Sequence, residues 1–175
     1  MTVTNIFRFK EPSMRILENE HLFLTHLMNE WHAIVLNFEK GLYTLEEGRL
    51  EIKRLRKLLV EFIEPWKNHC EKEEAYFFPL LGLYIGKEQG PIVTIEAEHT
   101  EIDGYIGHFL HRTLSNIENL TLEEMMDLVK DAGEAYEVLM VHFVKEESVL
   151  FPMTEKVMKA VDQEKLTQQL HTKII

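Results

Sequence analysis

The 175 residues include a single cysteine, Cys70. One cysteine cannot form an intrachain disulfide, and it leaves no cysteine cluster for zinc or an iron–sulfur centre. This usage is typical of a reducing cytoplasm. The N-terminal residues also lack the apolar stretch and the cleavage site of a secretory signal. We therefore expect a cytoplasmic protein.

Long apolar runs and basic stripes are also missing. The longest mostly apolar run, residues 75–85, is interrupted by Pro79 and Gly82. It is well short of the about 20 residues that a helix needs to cross a bilayer. The formal charge is −11, and the 19 basic residues are mixed with 30 acidic ones. We therefore expect neither nucleic acid nor a membrane as a partner.

The sequence has no useful length of the alternation that predicts β-strands. Apolar residues instead recur at threes and fours in four segments, which predicts four amphipathic helices. These cover residues 14–40, 44 to beyond 66, 91–117 and 121–143, and Pro152 ends or bends the last one. Short connections favour antiparallel neighbours, so we expect an all-α, up-down antiparallel four-helix bundle. We expect one domain over residues 1–175, with the bundle at about 14–152 and a C-terminal helical tail at 153–175 whose last residues fray.

Local signals place the helix ends. Ser13 is expected to cap the first helix and Gly41 to end it. Pro65 lies inside the second helix, where it removes one backbone hydrogen bond and is expected to produce a kink. Two capping boxes start the second and fourth helices: Thr44 with Glu47, and Thr121 with Glu124.

One segment occurs twice, at residues 69–79 and 142–152, with His, Lys, Glu, Glu, Phe and Pro in matching places. Residues four apart lie about 40° apart around a helix, so the first histidine and glutamate of each copy share a face. An imidazole and a carboxylate one turn apart can converge on a metal ion. The doubled segment therefore predicts two equivalent halves of a metal site. The pairs are His69 with Glu73 and His142 with Glu146.

A second pair of matching segments, residues 17–21 and 95–99, ends in Glu-His. Counting from the hairpin turns places His99 level with His142. His21 comes closest to His69, with an offset of about 9 Å at 1.5 Å per residue. We interpret the other histidines of these helices as surface or supporting residues: His26, His32, His108 and His111.

The predicted ligands are two carboxylates and four imidazoles, a set that suits iron or manganese, with zinc as an alternative. In this arrangement the histidines are terminal ligands, the glutamates bridge two ions, and a solvent oxygen can add a further bridge. We interpret Cys70 as a packing residue. Glu74 and Glu147, about 140° around the helix from each histidine, are expected to be solvated charges.

These segments resemble the hemerythrin-like, HHE cation-binding family over about residues 14–152. The resemblance implies a four-helix bundle around a non-haem, oxo- or hydroxo-bridged pair of iron ions that binds dioxygen or another diatomic molecule such as nitric oxide. It implies roles in sensing, storage or stress protection, with His21, His69, His99 and His142 as terminal ligands and Glu73 and Glu146 as bridges. Oxygen carriers of the family use a fifth histidine one turn after the third-helix ligand. This sequence has Asp103 there.

Two other functions use the same residues. One is a di-iron redox enzyme that reduces peroxide or nitric oxide, and the other is a zinc-stabilised interaction domain. Because the sequence has no recognisable substrate-pocket motif or electron-transfer partner, we favour a binding protein over an enzyme. Metal identity separates the zinc alternative from the other two.

Overall fold

A computed structural model describes residues 8–171 of the chain. Two π-helical turns, Glu73–Phe77 and Glu146–Leu150, each join a long helix to a short one that follows it. No strand occurs in residues 8–171, and the predicted all-α bundle is confirmed. The helices are α1 (Pro12–Glu39), α2 (Leu45–Lys72), α3 (Phe78–Ile85), α4 (Pro91–Arg112), α5 (Leu122–Lys145), α6 (Phe151–Val157) and α7 (Ala160–Leu170).

The four long helices pack as neighbours. α1 contacts α2 and α5, while α4 contacts α5 and α2. Helix α2 also contacts α5, and the four long helices pack around a common core. None of the helices within residues 8–171 is both long and apolar enough to cross a membrane.

Both predicted capping boxes are present, at the start of α2 and of α5. The Ser13 cap is wrong. Helix α1 begins with Pro12 at its first position, where the missing N–H costs nothing, so Ser13 lies inside the helix. Its buried hydroxyl donates to Gln163 Oε1 at 3.0 Å.

A residue in the left-handed region lies shortly after each of two long helices. Gly41, at φ 65°, follows α1 as predicted. Helix α4 stops at Arg112, before the predicted residue 117. The chain leaves the helical region at Thr113, and Asn116 then turns it at φ 65°.

Pro65 lies inside α2, which is helical from Leu45 to Lys72. The backbone hydrogen bonds change from the α-helical to the π-helical pattern only after the ends of α2 and α5, at the two π turns. Each of these precedes a proline, Pro79 or Pro152, at the start of the next helix. Proline cannot donate the usual bond to residue i−4, and the wider turn accommodates that loss.

Two apolar cores lie at opposite ends of the bundle. The loop-side core, towards the hairpin turns, includes Trp31, Phe62, Trp66 and Phe109. The far-end core is built around Phe77, Phe78, Leu150 and Phe151. Buried polar residues lie between the two cores, and they form the candidate site.

The tail helix α7 closes the far end. Leu166 and Leu170 are buried in the far-end core, whereas Val161 is 70% exposed. Phe9, before α1, packs into the same core. The expected fraying of the last residues concerns positions 172–175, outside the described range.

Candidate metal centre

The structure brings together the six side chains predicted as metal ligands. They form two clusters whose candidate ligand atoms lie within 4.8 Å of one another, and all six residues are buried. Both clusters contain Glu73 and Glu146. The first cluster is His21, His69, Glu73 and Glu146, and the second cluster is Glu73, His99, His142 and Glu146.

The inward atoms have the spacing of ligands around shared ions. Glu73 places Oε1 at 3.0 Å from His69 Nε2 and Oε2 at 3.2 Å from His99 Nε2, so its two oxygens reach one histidine of each cluster. Glu146 Oε2 is 2.9 Å from His21 Nε2 and 3.6 Å from His142 Nε2. Two donor atoms about 2.1 Å from one metal, at right angles, lie about 3 Å apart. Each glutamate therefore lies within reach of one histidine of each cluster.

These inward atoms also lack hydrogen bonds. All four Nε2 atoms and all four oxygens of Glu73 and Glu146 are buried without a hydrogen-bond partner. Buried polar atoms are costly unless they are paired or coordinate a metal. Eight such atoms in two adjoining clusters fit metal ions, and this donor set fits iron, manganese or zinc.

Each histidine is held from behind by a glutamate. A carboxylate oxygen only accepts, so Nδ1 of each neutral ring carries the hydrogen and Nε2 presents its lone pair inward. We call these four glutamates the outer carboxylates. The Nδ1···O distances are 3.0 Å for His21–Glu147, 2.9 Å for His69–Glu20, 2.7 Å for His99–Glu74 and 3.0 Å for His142–Glu98.

Glu74 and Glu147 were expected to be solvated charges; their side chains are 48% and 19% exposed, but each also accepts a hydrogen bond from a histidine. The turn in which each lies is π-helical, and the backbone N–H of Phe78 donates to the carbonyl of Glu73, five residues back. A wider turn rotates the chain less per residue, so the second glutamate stays nearer to the face of the first. Glu74 thereby reaches His99, and Glu147 reaches His21, on a neighbouring helix.

Sequence reasoning also missed two lysine–glutamate pairs. Lys72 Nζ donates to Glu20, and Lys145 Nζ donates to Glu98. The residues of both pairs occur at matching positions in the two halves of the sequence, Lys72 with Lys145 and Glu20 with Glu98. The sequence did not reveal which histidine these glutamates contact. Glu20, next to His21, accepts from His69, and Glu98, next to His99, accepts from His142.

Burial and neighbouring charges set the protonation of the site without metal. Burial opposes charge on His69, but Glu73 and Glu20 outweigh it and raise its pKa to about 9. Burial lowers the pKa of His21, and nearby His69 adds to the effect. Burial and the facing Glu73 carboxylate raise the pKa of Glu146. Because a ligating imidazole must be neutral, metal binding here displaces a proton from His69.

Aromatic rings enclose the centre. Phe143 stacks on His21 with centroids 4.1 Å apart, and Trp66 lies 5.3 Å from the ring of His99. On the far side Phe151 stacks on His21 and Phe78 on His99. This shell keeps the candidate ligands in an environment of low polarity, which strengthens the interactions of charges inside it.

The remaining candidates lie outside both clusters. His32 stacks on Tyr136, and His108 Nδ1 is 2.8 Å from Asp131. Cys70 is packed in the loop-side core, and burial raises the pKa of its thiol. Asp103 accepts a hydrogen bond from the Trp66 indole at 2.9 Å. The His26 side chain is 73% exposed.

Comparison with known proteins agrees with this geometry. Residues 13–154 match the model of the hemerythrin HHE cation binding domain, which covers most of the chain and all six clustered residues. Neither the curated proteins nor the solved structures gave a match. The family match and the two His/Glu clusters support a cation-binding protein. The chain belongs to the hemerythrin HHE cation-binding domain family.

Proposed function

We propose that the protein holds two non-haem iron ions and binds dioxygen or nitric oxide, in sensing, storage or protection against stress. In this proposal His21 and His69 are terminal ligands of one ion, and His99 and His142 of the other. Glu73 and Glu146 bridge the two.

The observation that carries the proposal is the set of eight buried, unpartnered donor atoms gathered in two clusters that share both glutamates. Each cluster supplies two imidazoles and two shared carboxylates, four protein ligands per ion. First-row metals with this kind of set reach five or six ligands, so positions remain for a small exogenous molecule. When bound, a pair of iron ions supplies redox-active sites to which a diatomic molecule can bind.

The chain's own residues hold that pair in place. The outer carboxylates fix the orientation of each imidazole, which keeps Nε2 directed inward. The aromatic rings surround the centre with apolar surface, which suits a neutral diatomic molecule better than a large polar substrate.

Metal analysis and optical spectroscopy of the purified protein test the proposal. We expect close to two iron ions per chain, absorption in the near ultraviolet from the ferric pair, and a spectral change on adding nitric oxide to the ferrous protein. Full occupancy by zinc from cells supplied with iron would contradict the proposal, since zinc has no such absorption. A single ion per chain would contradict it too.

A further inference from the structure

Trp66 separates the candidate metal centre from the surface. Its ring lies 5.9 Å from His69, 5.3 Å from His99 and 5.9 Å from His142, so it contacts histidines of both clusters. It also lines a surface depression of about 280 Å³ between α2 and α4. The side chain is 2% exposed and therefore closes the inner end of this depression.

A polar contact holds the indole in this position. The Trp66 indole N–H donates to Asp103 Oδ1 at 2.9 Å, and Asp103 lines the same depression. Asp103 lies one helical turn after His99 on α4, and it belongs to neither cluster. Its carboxylate is thus placed to hold Trp66, instead of completing the ligand set.

The depression gives the indole room to move outward. Gly107 is part of its lining, and a Cβ added there would meet no atom within 4 Å. Trp66 is not a candidate ligand, so its rotation opens the centre without displacing any of the six clustered residues.

A second depression, of about 340 Å³ between α1 and α5, is lined by His21 and Phe143. Its wall includes a candidate ligand that is fixed by Glu147 at 3.0 Å. Passage on that side requires movement of this candidate ligand itself, whereas none of the six clustered residues lines the depression beside Trp66.

We propose that Trp66 is the gate through which a small ligand passes from the depression between α2 and α4 to the metal centre, and that Asp103 holds this gate closed. The inference rests on the proposed binding of a diatomic molecule. A gate changes the barrier to entry but not the free or bound end states, so it alters the association and dissociation rates by the same factor.

Stopped-flow binding of nitric oxide to the ferrous protein tests the gate. Asp103→Ala is expected to raise both rates about tenfold with Kd unchanged, because a hydrogen bond to a charged acceptor stabilises the closed state by about that factor. Asp103→Asn keeps an acceptor oxygen and is expected to give an intermediate rate.

A matched pair of glycine variants tests the route. Gly107→Leu fills the depression and is expected to slow both rates severalfold. Gly104→Leu is the control, since Gly104 lies on the same helix, has equal free space and does not line the depression. Equal rates in the two glycine variants, or an acceleration by Phe143→Leu that Asp103→Ala lacks, would overturn the proposed route.

A second readout does not depend on iron. Hydrogen exchange of the Trp66 indole N–H, followed by NMR in zinc-loaded protein, is expected to accelerate in Asp103→Ala. Unchanged exchange would overturn the gate even if nitric oxide binds. Faster exchange in a protein whose iron form binds no nitric oxide would support the gate's motion while contradicting the proposed ligand.

Discussion

The first and second clusters use matching residues, but solvent reaches their surroundings unequally. Behind the first cluster, the Glu147 side chain is 19% exposed and accepts from the Arg8 guanidinium, which also pairs with Glu18. Behind the second, Glu74 is 48% exposed, and no lysine or arginine pairs with it in residues 8–171.

The lysines differ in the same direction. Lys72, paired with Glu20 behind the first cluster, is 2% exposed, whereas Lys145, paired with Glu98 behind the second, is 41% exposed. The two clusters thus have matching candidate ligands, but the charged partners behind the first cluster are more deeply buried. The comparison leads us to expect that the first cluster holds its metal more tightly, because buried partners must reorganise before its histidines can turn away.

Removal of either shared glutamate should empty both clusters, so that no difference in metal binding between them remains. Glu73→Ala is expected to reduce metal content from about two ions per chain to nearly none, because Glu73 is within 3.0 Å of His69 and 3.2 Å of His99. Glu146→Ala should behave alike. Metal analysis after purification measures this loss.

The control for these variants is Glu101→Ala, an exposed position on α4. It should retain both ions. Equal losses in Glu73→Ala and in the outer variants Glu74→Ala and Glu147→Ala would show that the bridging positions are assigned wrongly.

Single histidine variants should separate the two clusters. His21→Ala is expected to lose the ion of the first cluster, and His99→Ala that of the second, because each removes one of two imidazoles. Metal analysis should give about one ion per chain in both. His26→Ala, whose side chain is 73% exposed, should keep two, and loss there would refute the placement of His21.

The two lysines should differ in their contribution to stability. Lys72→Met removes the buried lysine that pairs with Glu20, which then keeps only its contact with His69, and is expected to lower the free energy of unfolding by about 3 kcal/mol. Lys145→Met removes a partly exposed partner and should cost less than about 1 kcal/mol. Urea unfolding of the metal-free proteins measures both, and equal values would mean that the burial difference has no energetic effect.

The smallest expected effect is on the rate of metal release. An excess of chelator should remove the two ions in two phases, the slower one from the first cluster. Glu147→Ala is expected to accelerate the slow phase about tenfold, the scale on which outer partners of ligating histidines act. Arg8→Ala should do so more weakly, since Arg8 is 61% exposed.

Lys10→Ala serves as the control for Arg8, because only its backbone N–H bonds to Glu155. Release of both ions in one phase from the unaltered protein would remove the basis of the comparison. A larger acceleration by Glu74→Ala than by Glu147→Ala would reverse it.

The His69–Glu73 and His142–Glu146 pairs and the capping boxes were predictable because each depends on residues three or four apart. His21 and His99 were found from the repeated Glu-His segment and from the count of residues to each hairpin turn. The doubled pattern added weight that one copy lacked. The residue count predicted an offset of about 9 Å along the bundle between His21 and His69. In the structure their side chains nevertheless meet, with ring centroids 5.0 Å apart.

Contacts between distant segments were not predictable in this way. Ser13 was misread as a cap because its partner, Gln163, comes from α7. Glu74 was misplaced because ideal α-helical rotation was assumed through a π turn. Nothing in the spacing of Trp66 and Asp103 showed that their side chains would meet across two helices.

Each half of the chain supplies glutamates to the cluster of the other half, and this determines when the metal centre can form. Residues 8–85 supply His21, His69 and Glu73 of the first cluster, but Glu146 and the outer Glu147 come from residues 91–157. The second cluster likewise borrows Glu73 and the outer Glu74 from the first half. Neither half contains a complete cluster, so an ion can be fully coordinated only after both have docked. Metal uptake during biosynthesis should therefore follow the pairing of the two halves, and the ions then act as cross-links between them.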